Sequence, residues 1–229
     1  MMSELAESKE SKVWRIEHVL LLWAIVLIMI VSFSFINLYS IWLGVALTEF
    51  AILLVTVVVA TRFFDASHDD LGVKRTSSKW ILLAMVSSIA AIGLGYAGVT
   101  IQVLILGSPP ESYQQYMDVL APRDIVSLTA WILLSFLVIA PCEEIFSRGF
   151  VQKGLENSLG GNWGLILASV LFGVLHVELF RIFPTVLEGL VIGTVYLKSG
   201  HNVVASTISH GFLNSMIFVL VYFTYIPIV

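Results

Sequence analysis

The chain has 229 residues, of which 58% are hydrophobic and 12% charged, with a net charge of −4 and a mean hydropathy of +0.95. A soluble domain carries about 25% charged residues, so a soluble enzyme is excluded, and the lack of a basic arm or stripe excludes nucleic acid as a partner. The single cysteine, Cys142, excludes an internal disulfide and a cysteine-based zinc site.

In chain order, Met1–Glu17 mixes Glu and Lys ahead of a long apolar run and lacks the small-residue cleavage site of a secretory signal. The first span is therefore expected to be retained, with residues 1–17 as a cytoplasmic tail and 18–229 as a single transmembrane domain. A membrane-spanning helix needs about 20 apolar residues. That criterion gives spans at His18–Tyr39, Ile41–Thr61, Trp80–Leu106, Ile125–Glu156, Trp163–Phe183, Pro184–Lys198 and Asn202–Tyr225. The fourth is either one long helix bent near Pro141 or two shorter ones, because proline frees a backbone carbonyl and kinks a helix. The expected fold is an all-α integral membrane bundle of seven or eight transmembrane helices. The sixth span is short, about 22 Å.

The breaker Gly107-Ser108-Pro109-Pro110 ends the third span, Gly107–Asp124 forms the main polar loop, and Gly160-Gly161-Asn162 is a tight turn. Lys9, Lys12 and Arg15, with Arg62, Lys74, Arg75 and Lys79, outweigh Arg123 and Arg181 on the other side. The positive-inside rule then puts the N-terminus and the Arg62–Lys79 loop in the cytoplasm. Trp14, Trp80 and Tyr222, near span ends, are expected to anchor at the interface.

The most telling stretch is Pro141-Cys142-Glu143-Glu144-Ile145-Phe146-Ser147-Arg148. Ionisable groups at membrane depth are costly, so they mark a functional site by default. Glu143, His176, His210 and Asn214 all fall at comparable depth, about 12–21 Å from the cytoplasmic ends of their helices. Glu144 and Arg148 are i,i+4 and share a helix face, whereas Glu143 is rotated by about 100° and freer to point into a cavity. His210 and Asn214 share that spacing, as do Phe172 and His176, which sets the ring against the imidazole. By spacing alone Glu144–Arg148 reads as a structural ion pair, and a lone histidine in a span as a helix–helix hydrogen bonder. Glu188 suits a wet groove, and Glu178 the outer interface. Glu49 in the second span has no evident partner. Gly189-x-x-x-Gly193 is a close-packing signal, and Cys142, beside two anionic groups that disfavour a thiolate, is a packing residue.

The order Glu143-Glu144-x-x-x-Arg148, Phe172-x-x-x-His176, His210-x-x-x-Asn214 resembles the CAAX-protease and bacteriocin-processing family of intramembrane proteases, also called the Abi or type II CAAX prenyl endopeptidase family. Gly149, Tyr196-Leu197-Lys198-Ser199-Gly200 and Leu71-Gly72-Val73 are also similar to it. The resemblance covers about Ala121 to Met216, the expected catalytic core. It implies hydrolysis of a peptide bond in a hydrophobic or membrane-associated peptide or protein, in the bilayer of a bacterial or archaeal cell. Some members support bacteriocin immunity or regulate partners, so a catalytically silent membrane protein is the alternative. An ion-coupled transporter would also bury Glu and His, but would more often show repeated halves.

Amide hydrolysis needs an activated water, a stabilised oxyanion and a proton for the leaving amine. Glu143, Glu144, His176, His210 and Asn214 are the candidate catalytic residues, with Arg148 and Phe172 supporting them. Glu143 suits the base, His176 shares the water, and His210 and Asn214 offer donors to the oxyanion. Glu144 and Arg148 orient Glu143. No cofactor is required in this mechanism. The rival is zinc or another divalent metal on His176, His210 and Glu143, a known catalytic ligand set, although the chain lacks His-Glu-x-x-His.

Overall fold

A computed structural model describes residues 13–38 and 40–225 of the chain. The cytoplasmic-tail assignment for residues 1–12, and Tyr39, lie outside these residues. Among the described residues the fold is helical throughout. We number the helices α1 (Ile16–Phe33), α2 (Ile41–Phe64), α3 (Ser78–Leu106), α4 (Glu111–Leu120), α5 (Ile125–Leu159), α6 (Gly161–Val174), α7 (Leu179–Lys198) and α8 (Val203–Tyr225). Six of them, α1, α2, α3, α5, α7 and α8, are long and apolar enough to cross a membrane, and α6 is a shorter apolar helix. The protein is a helical integral membrane bundle.

Several sequence expectations change. The fifth span does not run to Phe183. Helix α6 ends at Val174, and the chain turns through Val177, which sits in the left-handed region at φ 60°. Glu178 then caps α7, its carboxylate accepting from Arg181 N at 3.1 Å. Pro184 consequently lies inside α7 rather than opening it. A strong local cap and a reversal outweigh the proline as a boundary signal. The polar loop after α3 contains α4, an amphipathic helix that local polarity hid.

Trp14 is a core residue, not an interface anchor. It is 3% exposed, stacks on Phe150 at 5.2 Å and donates its indole N–H to Phe150 O at 2.8 Å. Its pocket exists because Gly154 has no side chain: a Cβ there would meet the Trp14 ring at 2.5 Å.

Helix α5 is continuous over 35 residues, so the Pro141 region is not a break between two spans. Pro141 has no N–H to bond the carbonyl one turn earlier. The helix takes π register just before it, at Ser135–Ile139, and again just after the Glu143-Glu144 pair, at Ile145–Gln152. Such wide turns inside α-helices recur at functional sites, and here they bracket both carboxylates.

The loop between α2 and α3 holds α5 and α8 in register. Gly72, at φ 78°, accepts from Val203 N through its carbonyl at 2.9 Å. Lys153 donates to Asp70 O, Lys74 to Gly200 O at 2.6 Å, and Asn202 Nδ2 to Arg75 O at 3.0 Å. Leu71 O rests against Gly149, where a Cβ would approach to 2.5 Å. On the far side of α5, Gly193 of α7 lets that helix close on Arg148 and Gln152, and Gly189 lets it close on Phe172. Both glycines of the small-residue pattern therefore sit at helix contacts.

Candidate active site

Three helices and one turn deliver the expected polar side chains to a cavity of about 670 Å³. Glu143 comes from α5, His176 from the turn after α6, Glu188 and Arg181 from α7, and His210 and Asn214 from α8. Its walls are mainly apolar and aromatic, with Phe172, Trp131, Ile217 and Phe218 among the lining residues. Pockets for hydrophobic ligands have this character: apolar walls with a few convergent polar groups.

Glu144 is fully buried and points away from the cavity. Its Oε2 accepts from Arg148 Nε at 3.2 Å, and its Oε1 faces His210 Nδ1 at 3.0 Å. The spacing reading saw the arginine and not the histidine, because the second contact crosses from α5 to α8. Arg148, also fully buried, lies against the Phe172 ring at 4.9 Å. Removing either partner of such a pair leaves an uncompensated buried charge.

The neighbours assign the imidazole protons. A carboxylate oxygen accepts, so His210 Nδ1 carries a hydrogen toward Glu144, and Nε2 faces Glu143 Oε2 at 3.9 Å. A backbone carbonyl also accepts, so His176 Nδ1, 3.1 Å from Phe172 O, carries a hydrogen. The Nε2 of a neutral His176 is then a lone-pair acceptor. Phe172 is the shared wall, edge-on to His176 with ring centroids 5.1 Å apart and to His210 at 5.7 Å. One aromatic ring thus fixes both imidazoles and the arginine, which goes beyond the single contact that the i,i+4 spacing predicts.

Two residues reach the site that the sequence reading left elsewhere. Glu49 of α2 is 7% exposed, lines the cavity and lies within hydrogen-bonding reach of Glu143. Its signal was available: a lone acid in an apolar span calls for a partner. Arg181, counted with the outer loops, lines the cavity instead and donates to Tyr116 of α4 at 2.6 Å. The Arg181 guanidinium also lies over that ring, so α4 is tied to the cavity rim. Cys142 is buried, as a packing residue would be.

Among the described residues, no group of three or more His, Cys, Asp or Glu side chains is gathered closely enough to hold a metal ion. The zinc set of His176, His210 and Glu143 does not fit this arrangement, and no step below runs through a metal.

Residues 125–216 match the family described as type II CAAX prenyl endopeptidase Rce1-like, so the resemblance read from the three motifs is borne out over that segment. An uncharacterized protein of Mycoplasma capricolum subsp. capricolum is 28% identical over 99 residues, which is 42% of this chain and 29% of the relative. The chain thus matches less than a third of that relative's length. No solved structure matches.

Proposed function

We propose that the protein is an intramembrane endopeptidase that cleaves a hydrophobic or membrane-associated peptide by direct Glu/His activation of water. The observation that supports this most is the meeting of Glu143, His176, His210 and Asn214 on one mainly apolar cavity within a helical membrane bundle. The match to a protease family over the same segment supports it independently.

In this reading Glu143 takes a proton from water as the water oxygen bonds to the scissile carbonyl carbon. His176, with an acceptor nitrogen free toward the cavity, shares that proton and passes it to the leaving amine as the carbon–nitrogen bond breaks. General acid–base catalysis of this type contributes about 10²–10⁴-fold. Asn214 donates to the oxyanion. His210, held at Nδ1 by the Glu144 carboxylate, donates from Nε2 when doubly protonated. Glu144, Arg148 and Phe172 position these groups and do not touch the substrate. The N-terminus is cytoplasmic in this account, the membrane is that of a bacterial or archaeal cell, and the partners are the lipid bilayer and the peptide.

Comparing the membrane proteomes of wild-type and Glu143→Ala cells tests the proposal. Uncleaved precursors should accumulate in the variant, with a hydrophobic segment at the missing cleavage site. Identical proteomes at equal protein levels would favour the catalytically silent regulatory reading.

A further inference from the structure

Glu49 is the one acid of α2, and it is buried toward α5 rather than exposed to lipid. Its Oε2 and the Oε2 of Glu143 are both buried without a hydrogen-bond donor. The two carboxyl groups nevertheless lie within hydrogen-bonding reach of each other. Two ionised carboxylates in contact away from water repel, and neither offers a donor. One proton between them converts two facing acceptors into a donor and an acceptor. The other titratable or charged groups around the pair are Cys142, Glu144 and Arg148 on α5, His176 after α6, Arg181 and Glu188 on α7, and His210 on α8. Of these, Glu144 is already engaged by Arg148 and His210, so it is not available to Glu143.

We propose that Glu49 and Glu143 share one proton, and that Glu49 is thereby the positioning residue that orients the proposed base. Glu49 holds the proton and donates it as a hydrogen bond. Glu143 keeps the negative charge, with its remaining lone pairs turned to the cavity and to His210. The pair then carries one net negative charge rather than two. The other buried residues of α2 are Gly44, Ile52, Thr56, Ala60 and Phe64, so Glu49 is the one ionisable group among them. The inference rests on Glu143 as the base of the proposed hydrolysis, yet the shared proton has a signature independent of turnover.

Infrared difference spectroscopy of the purified protein in detergent reads it directly. At neutral pH the wild type should show a buried carboxylic-acid carbonyl band that shifts in D₂O. The band should disappear in Glu49→Gln and change frequency in Glu143→Gln, because the proton's partner has changed. Absence of the band from the wild type, or its loss in Glu49→Gln with no change in Glu143→Gln, would overturn the shared proton. Cleavage of an internally quenched prenylated CAAX-type peptide is the second readout. Glu49→Leu should lower kcat on the order of 10²-fold with KM little changed, the usual cost of a misplaced reacting group. Glu49→Gln, which retains a donor, should recover most of it. Equal loss in both variants would mark Glu49 as structural only. An active Glu143→Gln would instead end the hydrolytic reading, leaving the infrared result to stand or fall alone.

Discussion

His210 Nδ1 lies 3.0 Å from Glu144 Oε1, a contact between two helices that turns the other imidazole nitrogen toward Glu143. The second carboxylate of the Glu-Glu pair is therefore a histidine-orienting group as well as half of an ion pair. Glu144→Gln keeps the shape and an acceptor oxygen for His210 Nδ1 but removes the charge that pairs with the buried Arg148, so the thermal midpoint in detergent should fall as well. Cleavage should fall on the order of 10²–10³-fold, comparable to the loss of one oxyanion donor. Steady-state kinetics should place the loss in kcat, with KM little changed.

Arg148 is fully buried, bonded to Glu144 and covered by Phe172. Arg148→Ala strands the Glu144 charge, and breaking a buried pair in this way costs about 3–5 kcal/mol. Protein yield and thermal midpoint in detergent should fall together with activity. A fully stable Arg148→Ala with selective loss of turnover would assign the guanidinium a direct part in the chemistry.

Gly149 faces the backbone of the α2–α3 loop, and a Cβ would stand 2.5 Å from Leu71 O. Backbone cannot step aside as a flexible side chain does. Gly149→Ala should destabilise the protein by about 1–3 kcal/mol, as overpacking does, and should loosen the clasp that registers α5 against α8. Limited proteolysis between residues 65 and 77 should speed up in the variant.

The helical class, most span positions and the three motif segments were legible because each is a local pattern: apolar run length, i,i+4 spacing, and glycine or proline punctuation. What was missed is non-local. The Glu144–His210 and Glu49–Glu143 contacts each join helices distant in sequence, so no spacing rule reveals them. The end of α6 at Val174 depends on a positive φ at Val177, a residue type that does not advertise it. Trp14 read as an interface anchor because it lies near a span end, whereas Gly154 and Phe150, far along the chain, make its pocket.

Asp70, in the same loop, accepts from Ser67 N at 2.8 Å and from the Ser67 hydroxyl at 2.7 Å. These donors favour the ionised form and hold the carboxyl below its usual range. Its contribution to loop order is thus fully present above the ordinary aspartate value, about 3.9, and is lost as pH falls through the lowered one. The effect is small at this partly exposed site. Amide exchange of residues 67–73 should accelerate on acidification in the wild type, and Asp70→Asn should flatten that pH dependence.

The central claim is that Glu143, acting with His176 and without a metal, is the base for peptide hydrolysis. Its most direct test is cleavage, by purified protein in detergent, of the precursor that accumulates in Glu143→Ala cells, with wild type, Glu143→Gln and chelator-stripped wild type compared side by side. The account predicts that Glu143→Gln binds the precursor but does not cleave it, while the stripped wild type, metal-free by elemental analysis, retains its rate. Cleavage by Glu143→Gln, or loss on stripping with recovery on added zinc, would contradict it.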